Sequence, residues 1–228
     1  MRIRRLTLAT GDLEGQAAFY GERLGLPVRE AGGEVEVALR ESTLRFRRAQ
    51  PGLDARYHFA INVPDGSIHQ AVEWLHGRVE PLAFEDVPEE PGGSAVVRTD
   101  VGSGCVYFLD AARNVVELIA SPYLEGGGDF GAGSLVEVAE IGIAAADTEA
   151  TCAALRDLFG EGDFWDAPDS HLTAVGDRHA VVIVAPVGRG WIPVDLEARP
   201  LPTEIDAYGT EPREVILPEG PYRLAVAP

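Results

Sequence analysis

An α+β fold built from tandem βαβββ modules is predicted by three observations. A β-prone run closed by Asp recurs at Arg5–Asp12, His58–Asp65 and Glu140–Asp147. Each copy leads into an apolar stripe of helical period, and each stripe is followed by alternating runs that read as strands. The tail beyond residue 199 repeats the strands without the helix, so a fourth module is expected to be reduced to strands.

The first copy reads Arg5-Leu-Thr-Leu-Ala-Thr-Gly-Asp12, the second His58-Phe-Ala-Ile-Asn-Val-Pro-Asp65, the third Glu140-Ile-Gly-Ile-Ala-Ala-Ala-Asp147. Asp at each junction suits a helix N-cap, where a carboxylate accepts orphan backbone N–H groups and meets the positive helix end. The first stripe is Leu13, Ala17, Phe19, Tyr20, Leu24 and Leu26, stopped by Gly25 and Pro27. The second is Ile68, Ala71, Val72 and Leu75 before Gly77; the third is Thr151, Ala154, Leu155 and Leu158 before Gly160. Glycine and proline at these ends are helix stop signals.

Strands are expected at Glu34–Arg40 and Thr43–Arg48 in module one. Module two offers Ser94–Thr99, Cys105–Leu109 and, after an Asp110–Asn114 turn, Val115–Ala120. Module three offers His171–Val175 and Ala180–Ala185 around a Gly176-Asp177 turn. The tail offers Thr203–Tyr208, Glu214–Leu217 and Tyr222–Val226 among six prolines. The run 125–133 is glycine-rich and reads as a flexible linker; Pro88–Gly93 is a smaller acidic loop. The expected division is an N-terminal domain 1–124 (modules 1–53 and 54–124) and a C-terminal domain 134–228 (module 134–198 plus the truncated 199–228).

A net charge of −18 repels nucleic-acid phosphates and anionic lipid, so neither is an expected partner. All 19 basic residues are Arg, which removes lysine Schiff-base chemistry. Cys105 and Cys152 form no CxxC pair and read as buried thiols in a reducing compartment. No run reaches the ~18 apolar residues of a membrane span, and the first residues hold no apolar signal core. A cytoplasmic, small-molecule-binding protein is the expectation.

Two segments carry a family resemblance. Leu6-Thr-Leu-Ala-Thr-Gly-Asp-Leu-Glu14, with Phe19-Tyr20 and Leu24-Gly-Leu26, resembles the opening strand and helix of the vicinal oxygen chelate superfamily. That superfamily includes glyoxalase I, bleomycin-resistance proteins and extradiol dioxygenases. Val106-Tyr-Phe-Leu-Asp-Ala-Ala-Arg-Asn-Val-Val-Glu-Leu118 resembles its closing signature, with Ala111 and Arg113 where the family carries Pro and Gly. The resemblance is good over 1–122, moderate over 134–194 and poor beyond. It implies modules paired into cupped mixed sheets, here the first two modules forming one cup around a ligand. Pairing occurs within a chain or between subunits in this superfamily, so a homodimer is among the expectations.

The resemblance also implies where a divalent metal (Fe, Mn, Ni, Co or Zn) would sit. Ligands come from the lead residue of a module's first strand and from its last strand. These positions are Arg5, His58 and Glu140 for first strands, Glu117 for the last strand of module two and, by looser alignment, Arg45 for module one. His58 and Glu117 suit such a metal, with Glu117 the candidate catalytic carboxylate. Arg5 and Arg45 cannot ligate, because a guanidinium stays protonated.

Three readings stand side by side. His58 and Glu117 hold a metal with waters or an unforeseen third ligand; or Arg5 or Arg45 pairs with Glu117 in a metal-free cup for an organic anion; or the four form an internal polar network. Glu140 fits the register but has no carboxylate companion in its own module. His171 and His179 read as solvated strand-end residues, His69 and His76 as surface residues of the second helix. Tyr57, Tyr107, Phe108, Trp165 and Trp191 are the aromatics for core or cup. Tyr107 and Trp191 are the ligand-binding candidates, Trp191 in a half-exposed position. Cys105 reads as an inert core thiol.

The activities implied are a ring-cleaving dioxygenase or glyoxalase-like lyase acting on a small oxygenated or aromatic substrate. The alternative is a bleomycin-resistance-type binder of an organic anion that performs no chemistry.

Overall fold

A computed structural model describes residues 1–82, 104–167 and 172–228. The expected strand Ser94–Thr99, the loop Pro88–Gly93 and His171 lie outside these residues. In chain order the strands are β1 (Ile3–Thr10), β2 (Val28–Ala31), β3 (Glu34–Ala38), β4 (Thr43–Arg48), β5 (His58–Pro64), β6 (Cys105–Leu109), β7 (Val115–Ser121) and β8 (Glu137–Ala145). There follow β9 (Asp163–Ala167), β10 (Leu172–Gly176), β11 (Val181–Pro186), β12 (Gly190–Trp191), β13 (Leu196–Glu197), β14 (Thr203–Tyr208), β15 (Arg213–Leu217) and β16 (Tyr222–Ala227). The helices are α1 (Leu13–Ala17, continued as a π-helical turn Ala18–Arg23), α2 (Ile68–Leu75) and α3 (Thr148–Phe159).

The helices form where the stripes place them. Asp12 and Asp147 cap α1 and α3, accepting from the backbone N–H of Gly15 and Ala150 at 2.8 and 2.9 Å. In module two the N-cap is Ser67 rather than Asp65, two residues on, after Gly66 takes a left-handed φ of 67°. Gly160, also left-handed, closes α3. The tail holds no helix between β14 and β15, as the proline spacing predicts.

Two seven-stranded sheets result. The first has the order β15-β16-β14-β1-β4-β3-β2, the second β6-β7-β5-β8-β11-β10-β9. Within every module the first strand runs parallel to the last: β1 with β4, β5 with β7, β8 with β11, β14 with β16. The four modules are therefore built alike.

Their pairing differs from the sequence expectation. Module one joins module four through antiparallel β1 and β14, and module two joins module three through antiparallel β5 and β8. The two halves 1–124 and 134–228 thus each contribute to both sheets, and modules one and two do not share a cup. The reason lies in β5, all seven of whose residues are buried. Such a strand needs a neighbour on each side. β7 fills one flank, and the segment after the glycine-rich linker returns as β8 to fill the other. The repeat pattern reports what each module contains, not which module flanks it.

Alternation then sorts each strand. Leu6, Leu8, Leu44 and Phe46 of the first sheet meet Phe59, Ile61, Val116, Leu118 and Ile141 of the second in one continuous apolar core. Buried hydroxyls tie the layers. Tyr57 accepts from the Ala9 amide at 3.1 Å and donates to the Pro202 carbonyl at 2.8 Å. Asp110, opening the signature turn, accepts from Gln16, Tyr20 and Asn114 at 2.7, 3.1 and 2.8 Å. That turn therefore anchors module two to the helix of module one. Arg113 takes a left-handed φ of 63° where the family signature carries Gly.

Candidate metal centre

The outer face of the second sheet carries the residues that alternate with the core: His58, Ala60 and Asn62 on β5, Glu117 and Ile119 on β7. Strict alternation would turn Glu140 inward, because Val138 two residues earlier faces the core. A bulge prevents this. Ala60 pairs with Glu140 but Ile61 pairs with Val138, so Ala139 is the extra residue. Glu140 is thereby aimed at the same face as His58.

The three side chains converge. His58 Nε2 lies 3.7 Å from Glu117 Oε2 and 3.9 Å from Glu140 Oε2. One donor atom from each lies within 4.8 Å of the others. His58 Nδ1 is 3.3 Å from the Val115 carbonyl oxygen, which can only accept, so Nδ1 carries the ring proton and Nε2 offers its lone pair.

Burial dominates the electrostatics. It drives the His58 pKa down to about 4, against a raising contribution from the Val115 carbonyl and with a further lowering by Arg189. The imidazole is neutral at pH 7. Burial pushes the Glu117 carboxyl up to about 7, resisted by hydrogen bonds from Tyr107 and Cys105. Burial, and then the Glu117 charge, holds Glu140 well above the ordinary carboxylate range. The buried Glu117 carboxyl, the partly buried Glu140 carboxyl and a neutral imidazole with an outward lone pair form a donor set suited to a divalent ion. A divalent metal, the group the fold's resemblance implies, fits these residues.

The centre lines a cavity of about 320 Å³. Tyr107, opposite Glu117 on β6, and Trp191 on β12 are both in its wall. Trp191 is buried rather than half-exposed, at 4%. Its ring centroid is 5.5 Å from that of His58. Gly142 makes the space: a Cβ there would stand 2.6 Å from the indole. The short β12–β13 ribbon thus straps the cavity, Trp191 packing on Ala144 and Ile183 and Leu196 on Tyr107 and Val115.

Other expectations resolve as follows. Arg5 and Arg45 lie on the first sheet, outside the cavity wall. Arg5 is 3.5 Å from Asp206, and Arg45 donates to Glu36 at 2.8 Å, so neither pairs with Glu117. Placing them at the site depends on modules one and two sharing a cup, which they do not. Tyr57 and Phe108 are core residues, and the side chain of Trp165 is outside the described set. His69 and His76 are exposed, and Cys105 and Cys152 are free and buried. His179 is not merely solvated: it lines the cavity, with Nδ1 3.3 Å from Glu137 Oε1. Glu140 is the ligand candidate whose partnership the sequence hid. Its signal was the shared register with His58, visible once β5 and β8 are neighbours.

The sequence matches no protein-family model and no curated protein. Solved structures do match. A protein from Bacillus subtilis, provisionally named a dioxygenase, is 14% identical with a TM-score of 0.66, covering 100% of this chain and 86% of that one. Glyoxalase I from Zea mays is 14% identical with a TM-score of 0.56, covering 99% and 91%. A point mutant of the same maize enzyme gives 0.55 at 14% identity, covering 99% and 92%. The chain has the fold of the vicinal oxygen chelate superfamily.

Proposed function

We propose that the second sheet binds a divalent metal through His58, Glu117 and Glu140 and that the protein acts there on a small oxygenated or aromatic substrate, as a ring-cleaving dioxygenase or glyoxalase-like lyase. The convergence of three donor atoms within 4.8 Å in a cavity wall carries this reading. The fold similarity to a glyoxalase I is consistent with it. When bound, the metal supplies Lewis acidity toward two neighbouring substrate oxygens.

The chain's own residues do the rest. The Val115 carbonyl fixes the His58 ring so that Nε2 faces the carboxyls. Trp191 and Tyr107, centroids 5.5 and 6.2 Å from His58, flank the imidazole with apolar surface and exclude water. An aromatic substrate would find stacking partners in the same wall. Glu117, hydrogen-bonded by Tyr107, is the carboxyl best placed to hold a proton beside a bound substrate.

Metal content of untagged protein tests the proposal. About one equivalent of divalent metal is expected in the wild type and none in His58→Ala, with circular dichroism unchanged. Equal metal in both would remove the centre. Glu140→Gln gives a second variant should His58→Ala fold poorly. Ligand-induced thermal stabilisation that is indifferent to EDTA would favour the metal-free binder instead.

A further inference from the structure

We propose that the cavity takes an elongated organic anion whose acidic end is held by Arg178, beside the His179–Glu137 pair, while its oxygenated end faces the His58 centre. The second half of that statement rests on the metal reading; the first does not.

The cavity runs along β5. His58 and Asn62 both line it, four residues apart on one strand face, which separates the two ends by roughly 13 Å at the rise of a β-strand. At the Asn62 end the side chain donates to the His179 carbonyl at 3.0 Å. His179 Nδ1 meets Glu137, which stands opposite Asn62 in the β5–β8 register. Glu137 is 2% exposed and is itself paired with Arg2 at 3.2 Å. The imidazole is therefore held from both its ring and its backbone.

Arg178 completes this end. Its Nε is 3.4 Å from His179 Nε2, and its guanidinium carbon lies 5.1 Å from the Tyr123 ring centroid. Arg178, His179 and Tyr123 all line the cavity. The neighbouring Asp177 is engaged by the N-terminal ammonium and the His179 amide. Among the described residues no carboxylate pairs with Arg178. Arg178 is exposed, and in a chain of net charge −18 a rim guanidinium with no carboxylate partner among the described residues suits an organic anion.

The wall also carries apolar Ile119, Ala139, Val181 and the 39%-exposed Phe164, beside Ser121 and Arg189. The ligand class follows: neighbouring oxygens at one end, an apolar body, and a carboxylate at the other, within the roughly 13 Å that the strand rise sets.

The test uses full-length, zinc-loaded protein and three probes under nitrogen. These are 3-(3,4-dihydroxyphenyl)propanoate, its methyl ester, and 4-ethylcatechol, titrated calorimetrically. Wild type is expected to bind the acid about twofold to fivefold tighter than the ester, the range of one solvent-exposed charge pair. Arg178→Gln should lose that preference and bind acid and ester equally. Raising the salt should shrink the wild-type preference. Equal binding of acid and ester by wild type, or an undiminished preference in Arg178→Gln, would overturn the anchor. Failure of the metal centre reads separately: 4-ethylcatechol binding would ignore EDTA while the acid-over-ester preference persisted and still supported Arg178.

Discussion

In the second sheet, four corresponding strand positions hold His58 and Glu140 on the paired first strands and Glu117 and Ile183 on their flanking last strands. In the first sheet the same frame holds Arg5, Glu204, Arg45 and Ala225. The registers define the match: Ala60 faces both Glu117 and Glu140, as Thr7 faces both Arg45 and Glu204. Charge makes the difference. On the first sheet Arg45 meets Glu34 and Glu36 at 3.5 and 2.8 Å, Arg47 meets Glu34 and Glu204, and Arg223 meets Asp206 and Glu214 at 3.1 and 3.0 Å. Cations and anions alternate and neutralise one another. On the second sheet two carboxyls and a neutral imidazole face a cavity, with Arg189 in the same wall. One module frame therefore supports a salt-bridge lattice on one sheet and a cluster of metal-ligating atoms facing a cavity on the other. The cluster is the one suited to a ligand.

The largest expected break in this comparison concerns Trp191. Its indole occupies the room left by Gly142, two residues beyond Glu140; the matching residue of the first sheet is Asp206, which meets Arg5 and Arg223. Trp191→Ala should destabilise by about 3–5 kcal/mol, as removal of a buried large aromatic does. Asp206→Ala in the lattice, where its partners Arg5 and Arg223 are 33% and 38% exposed, should cost about 1 kcal/mol or less. Urea unfolding of both variants checks the contrast, and equal losses would mean that the strap is no more structural than a surface pair.

Next in size is a pH effect confined to the second sheet. Glu117 and Glu140 have folded pKa values raised above their unfolded ones, so their contribution is present at low pH and lost as pH rises through the folded values. His58 has a lowered folded pKa of about 4, so it acts oppositely, costing stability as pH falls below its unfolded value near 6.5. Between about pH 4.5 and 6.5 the single imidazole offsets one of the two carboxyls. Above that the carboxyls act alone, and metal-free protein should lose up to about 1.4 kcal/mol per pH unit for each proton released. Glu117→Gln should flatten the slope around pH 7. A divalent ion should reverse it, stabilising more at pH 8 than at pH 6. Melting temperatures of metal-free protein that stay level from pH 6.5 to 8 would show that the carboxyl pair is not buried as described.

Local pattern made most of this molecule legible. Alternation located β4, β6, β7 and the three tail strands to within a residue or two, and Asp12 and Asp147 announced their caps. His58 and Glu117 were readable because one module supplies both, through parallel β5 and β7. Glu140 was readable only as a register member. Its use depends on β8 lying beside β5 and on the extra residue Ala139, and neither a long-range pairing nor a bulge leaves a periodic trace. Arg5 and Arg45 were misassigned to the cup for the same reason. Their register is right, but their carboxylate partners come from module four and from β3, so they belong to the other sheet.

The smallest expected effect tests the lattice itself. Arg45 is the guanidinium that stands where Glu117 stands in the second sheet, and its side chain is only 16% exposed. Removing it nevertheless strands neither partner. Glu34 keeps Arg47 at 2.5 Å, and Glu36 keeps Arg29. With both carboxylates still paired, Arg45→Ala should cost about 0.5 kcal/mol and leave metal content and ligand affinity unchanged. A loss of several kcal/mol on chemical denaturation would mean that Arg45 compensates buried charge the way a metal is proposed to do for Glu117. The first sheet would then be a second site closed by arginine rather than a lattice sufficient in itself.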